Sequence, residues 1–181
     1  MLQQTYENEV ELMEIWDGYR RDGTLAGVDL IRGQSIPDGV YHLVCDVLVQ
    51  HVDGDFLLMQ RDLSKAQYGG RYEATAGGSA LKGEDPLTCI KRELREETGI
   101  AAGAFQHIKQ AVFDEHQCIC HAFLCVTDCD KNSIVLQDGE TMGYKWLTEQ
   151  QFVEFINSGD MIESQRRWYF DFFVERGYCS K

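Results

Sequence analysis

Apolar residues recur along this chain with two periods, and the alternation between them predicts the elements. Tyr41–Gln50 is a nearly continuous apolar run rich in β-branched residues, as expected of a buried strand. Asp53-Gly54 supplies a hairpin turn into a second apolar run, Phe56–Arg61. Upstream, Glu14–Tyr19 and Thr24–Leu30 read as two short strands around the turn Arg21-Asp22-Gly23, and Pro37-Asp38-Gly39 marks another turn. The polar stretch Asp62–Tyr72 is a loop, and Tyr72–Ala76 is a short strand ending in Gly77-Gly78. Further strands are expected at Phe105–Phe113, Cys118–Thr127, Ser133–Gln137 and Gly143–Leu147.

Helical spacing appears in three places. Pro86–Thr98 has Asp85 as N-cap, Pro86 at the first helical position and Gly99 at the C-terminal stop. Thr148–Asn157 starts on a capping threonine. Ile162–Arg176 carries Trp168, Phe172 and Phe173, an aromatic stripe that reads as core packing. Strands interleaved with hairpins and helices predict an α/β (α+β) fold with a mixed sheet packed between helices.

The first of these helices has an unusual charge pattern. At about 100° per residue, Glu93, Glu96 and Glu97 share an arc about 100° wide, beside an apolar face of Leu87, Ile90 and Leu94. Like charges at these spacings repel by a few tenths of a kcal/mol per pair. A hard divalent cation reverses the sign of that repulsion, because Mg²⁺ prefers carboxylate oxygens. The bland alternative is a solvated charged face. The loop before the helix adds Gly77-Gly78, which permits close backbone approach, and Glu84, which is placed to reach Arg92.

The stretch Gly78–Ile100, GSALKGEDPLTCIKRELREETGI, resembles the Nudix box, Gx5Ex7REUxEExGU with U an apolar residue. Gly78, Glu84, Arg92-Glu93, Leu94, Glu96-Glu97, Gly99 and Ile100 fill every specified position. Leu57–Arg61, Gly70–Glu73 and Trp146-Leu147 also look like Nudix segments. The resemblance implies a Nudix-type α/β/α sandwich over residues 37–181, preceded by an extension, 1–36, with a short β-hairpin.

It also implies metal-dependent hydrolysis of a nucleoside diphosphate-linked or related small organic diphosphate, by water attack at phosphorus. Mg²⁺ or Mn²⁺ is then expected on Glu93, Glu96, Glu97 and the Gly78 carbonyl. Glu84, Arg92 and Gly99 hold the loop and helix together. Glu96, Glu97 and the loop acid Glu140 are candidate general bases. Arg61, Glu73 and Tyr72 are candidate substrate contacts, Arg61 as a phosphate clamp.

Two rival readings follow from the same residues. Trp16-Asp17 and Tyr41-His42-Leu43 resemble the branch containing isopentenyl-diphosphate isomerases, yet the position of their catalytic cysteine is Ala76 here and that of a metal-binding histidine is Gly78. A non-catalytic Nudix ligand sensor predicts loss of box carboxylates, and none is lost.

Composition narrows the partners. The 181 residues are 44% hydrophobic and 26% charged, and the net charge of −13 disfavours nucleic acid in the absence of any basic stripe. No apolar run approaches the ~18 residues of a membrane span. Met1–Glu14 lacks the features of a secretory leader. Together with seven cysteines, an odd number read as reduced and core-packed, this predicts a cytoplasmic protein. A homodimer is expected only by resemblance.

Overall fold

The structure, a computed structural model, describes residues 13–180. The expected tail or edge element over the first dozen residues lies outside that range. Nine strands and four α-helices are formed among the described residues. In chain order they are β1 (Ile15–Tyr19), β2 (Leu25–Ile31), β3 (His42–His51), β4 (Phe56–Arg61), β5 (Tyr72–Glu73), β6 (Thr75–Ser79), α1 (Pro86–Thr98), β7 (Ala104–Phe113), β8 (Cys118–Thr127), β9 (Thr141–Leu147), α2 (Glu149–Ser158), α3 (Glu163–Trp168) and α4 (Phe170–Glu175).

β3 is the spine of a seven-stranded mixed sheet. It runs parallel to β8 along its full length and antiparallel to β6 from Val44 to Leu48. β4 joins its far end and carries β5 and β9, while β7 completes the other edge beside β8. The apolar alternation of β3 explains why both faces are covered. Leu43, Cys45, Val47 and Val49 pack in one core with Cys89, Ile90 and Leu94 of α1. Leu48 packs in a second core with Phe56, Phe152, Tyr169 and Phe173, from β4 and the C-terminal helices. The result is the expected α/β/α sandwich with a mixed sheet in the middle.

β1 and β2 form a separate two-stranded ribbon. It clamps the loop that leads into α1: Lys82 N donates to Ile15 O at 2.8 Å and Gly83 N to the Asp17 carboxylate at 2.7 Å. Trp16 stacks on the His42 ring with centroids 4.6 Å apart.

Four local expectations are corrected. The strand expected over Tyr72–Ala76 is two strands, because the chain crosses at buried Ala74 from pairing with β4 to pairing with β3. Ser133–Gln137 is not a strand: Val135 N bonds to Thr98 O at 2.9 Å, so this segment docks on the end of α1 instead of on a sheet edge. The helix expected over Ile162–Arg176 breaks at Tyr169, whose side chain is fully buried. Leu87 is 40% exposed, and Cys89 takes its place in the core face of α1.

Gly77 sits inside β6, and its lack of a side chain sets how closely β6 can approach β3. A Cβ there would collide with the Cys45 carbonyl oxygen and come within 2.7 Å of Asp46 Cα. Gly77→Ala is therefore expected to lower stability by about 1–3 kcal/mol through overpacking, read as a lower thermal midpoint by circular dichroism. An unchanged midpoint would show that the strand pair tolerates the methyl group.

Candidate active site

The box folds as a strand–loop–helix unit. Asp85 caps α1 by accepting from Thr88 N at 2.7 Å, and Gly99, at φ 77°, ends it in the left-handed conformation. Glu84 accepts from Leu81 N at 2.8 Å and from both Nε and Nη2 of Arg92, at 2.8 and 2.9 Å. Arg92 also reaches Glu93 at 2.8 Å, Glu96 at 3.1 Å and the Ser79 carbonyl at 3.1 Å. One guanidinium therefore ties the loop to three carboxylates of the box.

These contacts set the electrostatics. Burial pushes the Glu84 pKa up, but Arg92 and the Leu81 amide outweigh it and hold the carboxyl below its ordinary value. Burial raises Glu93, against the opposing pull of Arg92. Glu97 differs from both. Its pKa is pushed up to about 8, mainly by burial, with a smaller contribution from nearby Glu93, Glu73 and Glu140. Its one hydrogen bond among the described residues comes from Gly77 N at 3.3 Å, and no basic side chain pairs with it there.

A cavity of about 160 Å³ opens beside Glu97. Gly77, Gly78, Arg61, Glu73 and Glu140 line it, together with Asp46, Thr75 and Thr141. Arg61 is bound to both Glu73 oxygens through Nη1, at 2.9 and 3.1 Å, and Lys65 is ion-paired with Glu140. The expected phosphate clamp is thus committed to a carboxylate in this arrangement. Tyr72 does not line the cavity; it lies beneath Lys145 Nζ, 3.9 Å from the ring centroid. His42 meets Ser79 Oγ at 3.3 Å and packs on Trp16, with its pKa lowered by burial.

The donor set fits a hard divalent cation in chemistry. Glu93 lies so close to Gly78 that a Cβ there would fall 2.5 Å from its Oε1, so the glycine keeps the carboxylate against the strand backbone. Glu97 is a half-buried carboxyl with no cationic partner among the described residues, the arrangement a metal ion relieves. Among the described residues, however, no three acidic, histidine or cysteine side chains are drawn together around one point. Glu93 and Glu96 lie along Arg92, while Glu97 turns into the cavity.

A NUDIX domain profile matches residues 40–172. The chain belongs to the Nudix hydrolase family. It is 28% identical over 156 residues to an uncharacterized Nudix hydrolase of Listeria monocytogenes, an alignment covering 83% of this chain and 89% of that protein. A Nudix hydrolase of Deinococcus radiodurans is 24% identical over 132 residues, covering 70% and 77%. In fold, the chain is similar to the crystal structure of the D. radiodurans protein DR0079, with a TM-score of 0.61 at 18% identity over 81% of this chain and 90% of that one.

Sequence reasoning missed Asp46, Thr75 and Thr141 as lining residues of this Nudix hydrolase. Asp46 had a signal, being the single charge inside the apolar run Tyr41–Gln50. Thr75 and Thr141 had none, since nothing in their local sequence shows that β6 and β9 flank one cavity.

The Arg92 network generates a stability prediction with a definite sign. Arg92→Met should cost about 2–3 kcal/mol at neutral pH by removing charged hydrogen bonds from largely buried partners. Glu84 has a lowered pKa in the fold, so its contribution is present above the ordinary value of 4.5 and lost as pH falls through the lower folded value. Urea unfolding of both proteins from pH 7 to pH 3 should show the gap shrinking below pH 4.5. A constant gap would assign the loss to packing alone.

Proposed function

We propose that this Nudix hydrolase uses Mg²⁺ or Mn²⁺ to cleave the diphosphate bond of a nucleoside diphosphate-linked or related small organic diphosphate, by water attack at phosphorus. The observation that carries the reading is Glu97: a half-buried box carboxyl without a basic partner among the described residues, facing a cavity, beside Glu93 and Glu96 held by Arg92.

Glu93, Glu96, Glu97 and the Gly78 carbonyl would hold the cation. When bound, it draws charge from the phosphate oxygens and acidifies the attacking water. Glu84 and Arg92 keep the loop and α1 in register, and Arg92 holds Glu93 and Glu96 on one flank of the helix. Glu96, Glu97 and Glu140 are the candidates to accept the water proton, and Glu97 and Glu140 have the advantage of lining the cavity. Arg61 contacts a phosphate oxygen once it exchanges part of its pairing with Glu73. A Nudix domain of Shewanella oneidensis NrtR, similar in fold with a TM-score of 0.50 at 14% identity, is described in complex with ADP ribose. ADP ribose is itself a nucleoside diphosphate linked to a sugar, so it falls within the proposed substrate class.

The isomerase reading finds no support at the position it needs. Ala76 is buried in the first core and offers no group to move a proton. The protein is therefore expected not to interconvert isopentenyl and dimethylallyl diphosphates.

The test is phosphate release, with auxiliary phosphatase, from a panel of nucleoside diphosphates, nucleotide sugars and prenyl diphosphates in Mg²⁺, Mn²⁺ or EDTA. The expected outcome is turnover of one class that EDTA abolishes and that Glu97→Gln and Glu96→Gln each reduce by about 10²-fold or more in kcat. Full activity in both variants, or turnover in EDTA, would overturn this reading.

A further inference from the structure

The cavity has a second end that the cation chemistry leaves unexplained. Asp46 projects from β3 toward the C-terminal helices, where Tyr169 OH donates to its Oδ1. Thr75 lies beside it, held by Gln165 Nε2 at 2.9 Å. Thr141 on β9 also lines the cavity, is only 6% exposed, and has a buried hydroxyl with no hydrogen-bond partner among the described residues. The indole Nε1 of Trp168 is buried beside Asp46 and bonds no other group among the described residues. Buried polar atoms are rarely left unpaired, and each costs about 1–3 kcal/mol. A carboxylate offers about four lone-pair sites. Tyr169 takes one of them, and Trp168 can take one more. This end of the cavity is therefore built with hydrogen-bonding capacity that the protein does not itself consume.

Charge decides which part of a substrate goes there. Asp46 faces the cavity and no basic side chain is hydrogen-bonded to it among the described residues, while Arg61, the candidate phosphate contact, is held by Glu73. Lys109 sits 4.1 Å from the Trp168 ring centroid, behind the indole and outside the cavity wall. A phosphate beside Asp46 would meet negative charge, whereas a neutral hydrogen-bond donor would find acceptors. An alkyl chain would bury Asp46 and Thr141 unpaired. The volume, about 160 Å³, is below the ~300 Å³ of a pocket that encloses a whole ligand, so it takes one part of the molecule.

We propose that Asp46 and Thr141 determine specificity by reading the organic half of the substrate, requiring a hydroxyl or amino donor such as a sugar or nucleobase carries, and rejecting prenyl chains. The inference deepens the hydrolase reading and rests on it for the position of the diphosphate at the Glu97 end. Burial pushes the Asp46 carboxyl up to about 7, against the opposing pull of Tyr169, Trp168 and Lys109.

The test is calorimetric binding, with Mg²⁺ present, of the methylene-bridged analogues of ADP, CDP and isopentenyl diphosphate, which cannot be cleaved at the bridging atom. Wild type is expected to bind at least one nucleotide analogue more tightly than the prenyl analogue. Asp46→Leu should weaken that nucleotide at least about tenfold and Thr141→Val about three- to tenfold, while the prenyl analogue is unchanged or tighter. Asp46→Asn, which keeps shape and an acceptor, and Thr141→Val, which is nearly isosteric, carry the test if Asp46→Leu does not fold.

Equal losses on both analogue types, or preference for the prenyl analogue, would overturn the inference. So would failure of every nucleotide analogue to bind. Turnover of the cleavable parent compounds is scored separately. Asp46-dependent binding without turnover would sink only the hydrolase reading, and turnover indifferent to Asp46 and Thr141 only this one.

Discussion

The guanidinium of Arg92 is the constraint on which the site depends. It neutralises Glu84, touches Glu93 and Glu96, and bonds to the Ser79 carbonyl at the end of β6, so strand, loop and helix share one partner. Without it, three carboxylates on about 100° of one helix would repel each other and the loop would lose its tie to α1. Arg92 bonds Glu84, Glu93 and Glu96, so among the box carboxylates Glu97 is the one left half-buried without a basic partner in the described residues. That asymmetry gives one carboxyl a structural role, two a shared role, and one a position facing the cavity.

The sheet then decides what else the cavity contains. β3 brings Cys45 to the α1 face and Asp46 to the opposite face one residue later. Gly77 lets β6 press against that pair of residues. Box residues therefore border one end of the cavity, and residues held by the C-terminal helices border the other. The break at Tyr169 matters in this respect, since it places a fully buried hydroxyl on Asp46.

Most of the box's frame was legible from local sequence, because it lies within one stretch whose caps, spacing and charges act over a few residues. Asp85, Gly99, Glu84 and Arg92 all do in the fold what their spacing implied. The buried strands were legible for the same reason. The failures share a different cause. Ser133–Gln137 has strand-like residues but finds α1 instead of a sheet edge, and the last helix breaks where Tyr169 packs inward. Arg61, expected as a phosphate clamp, is bound to Glu73 on a neighbouring strand. Asp46, Thr75 and Thr141 come from three strands far apart in the chain, and only the sheet register brings them to one cavity.

In the proposed function, the box carboxylates bind a divalent cation through Glu97 in a frame held by Arg92. Its most direct measurement is Mn²⁺ binding, followed by electron paramagnetic resonance of the free ion during titration of the protein. Saturable binding that Glu97→Gln abolishes, with an unchanged circular dichroism spectrum, is the predicted result. Equal Mn²⁺ binding by wild type and Glu97→Gln, or none by wild type, would contradict it.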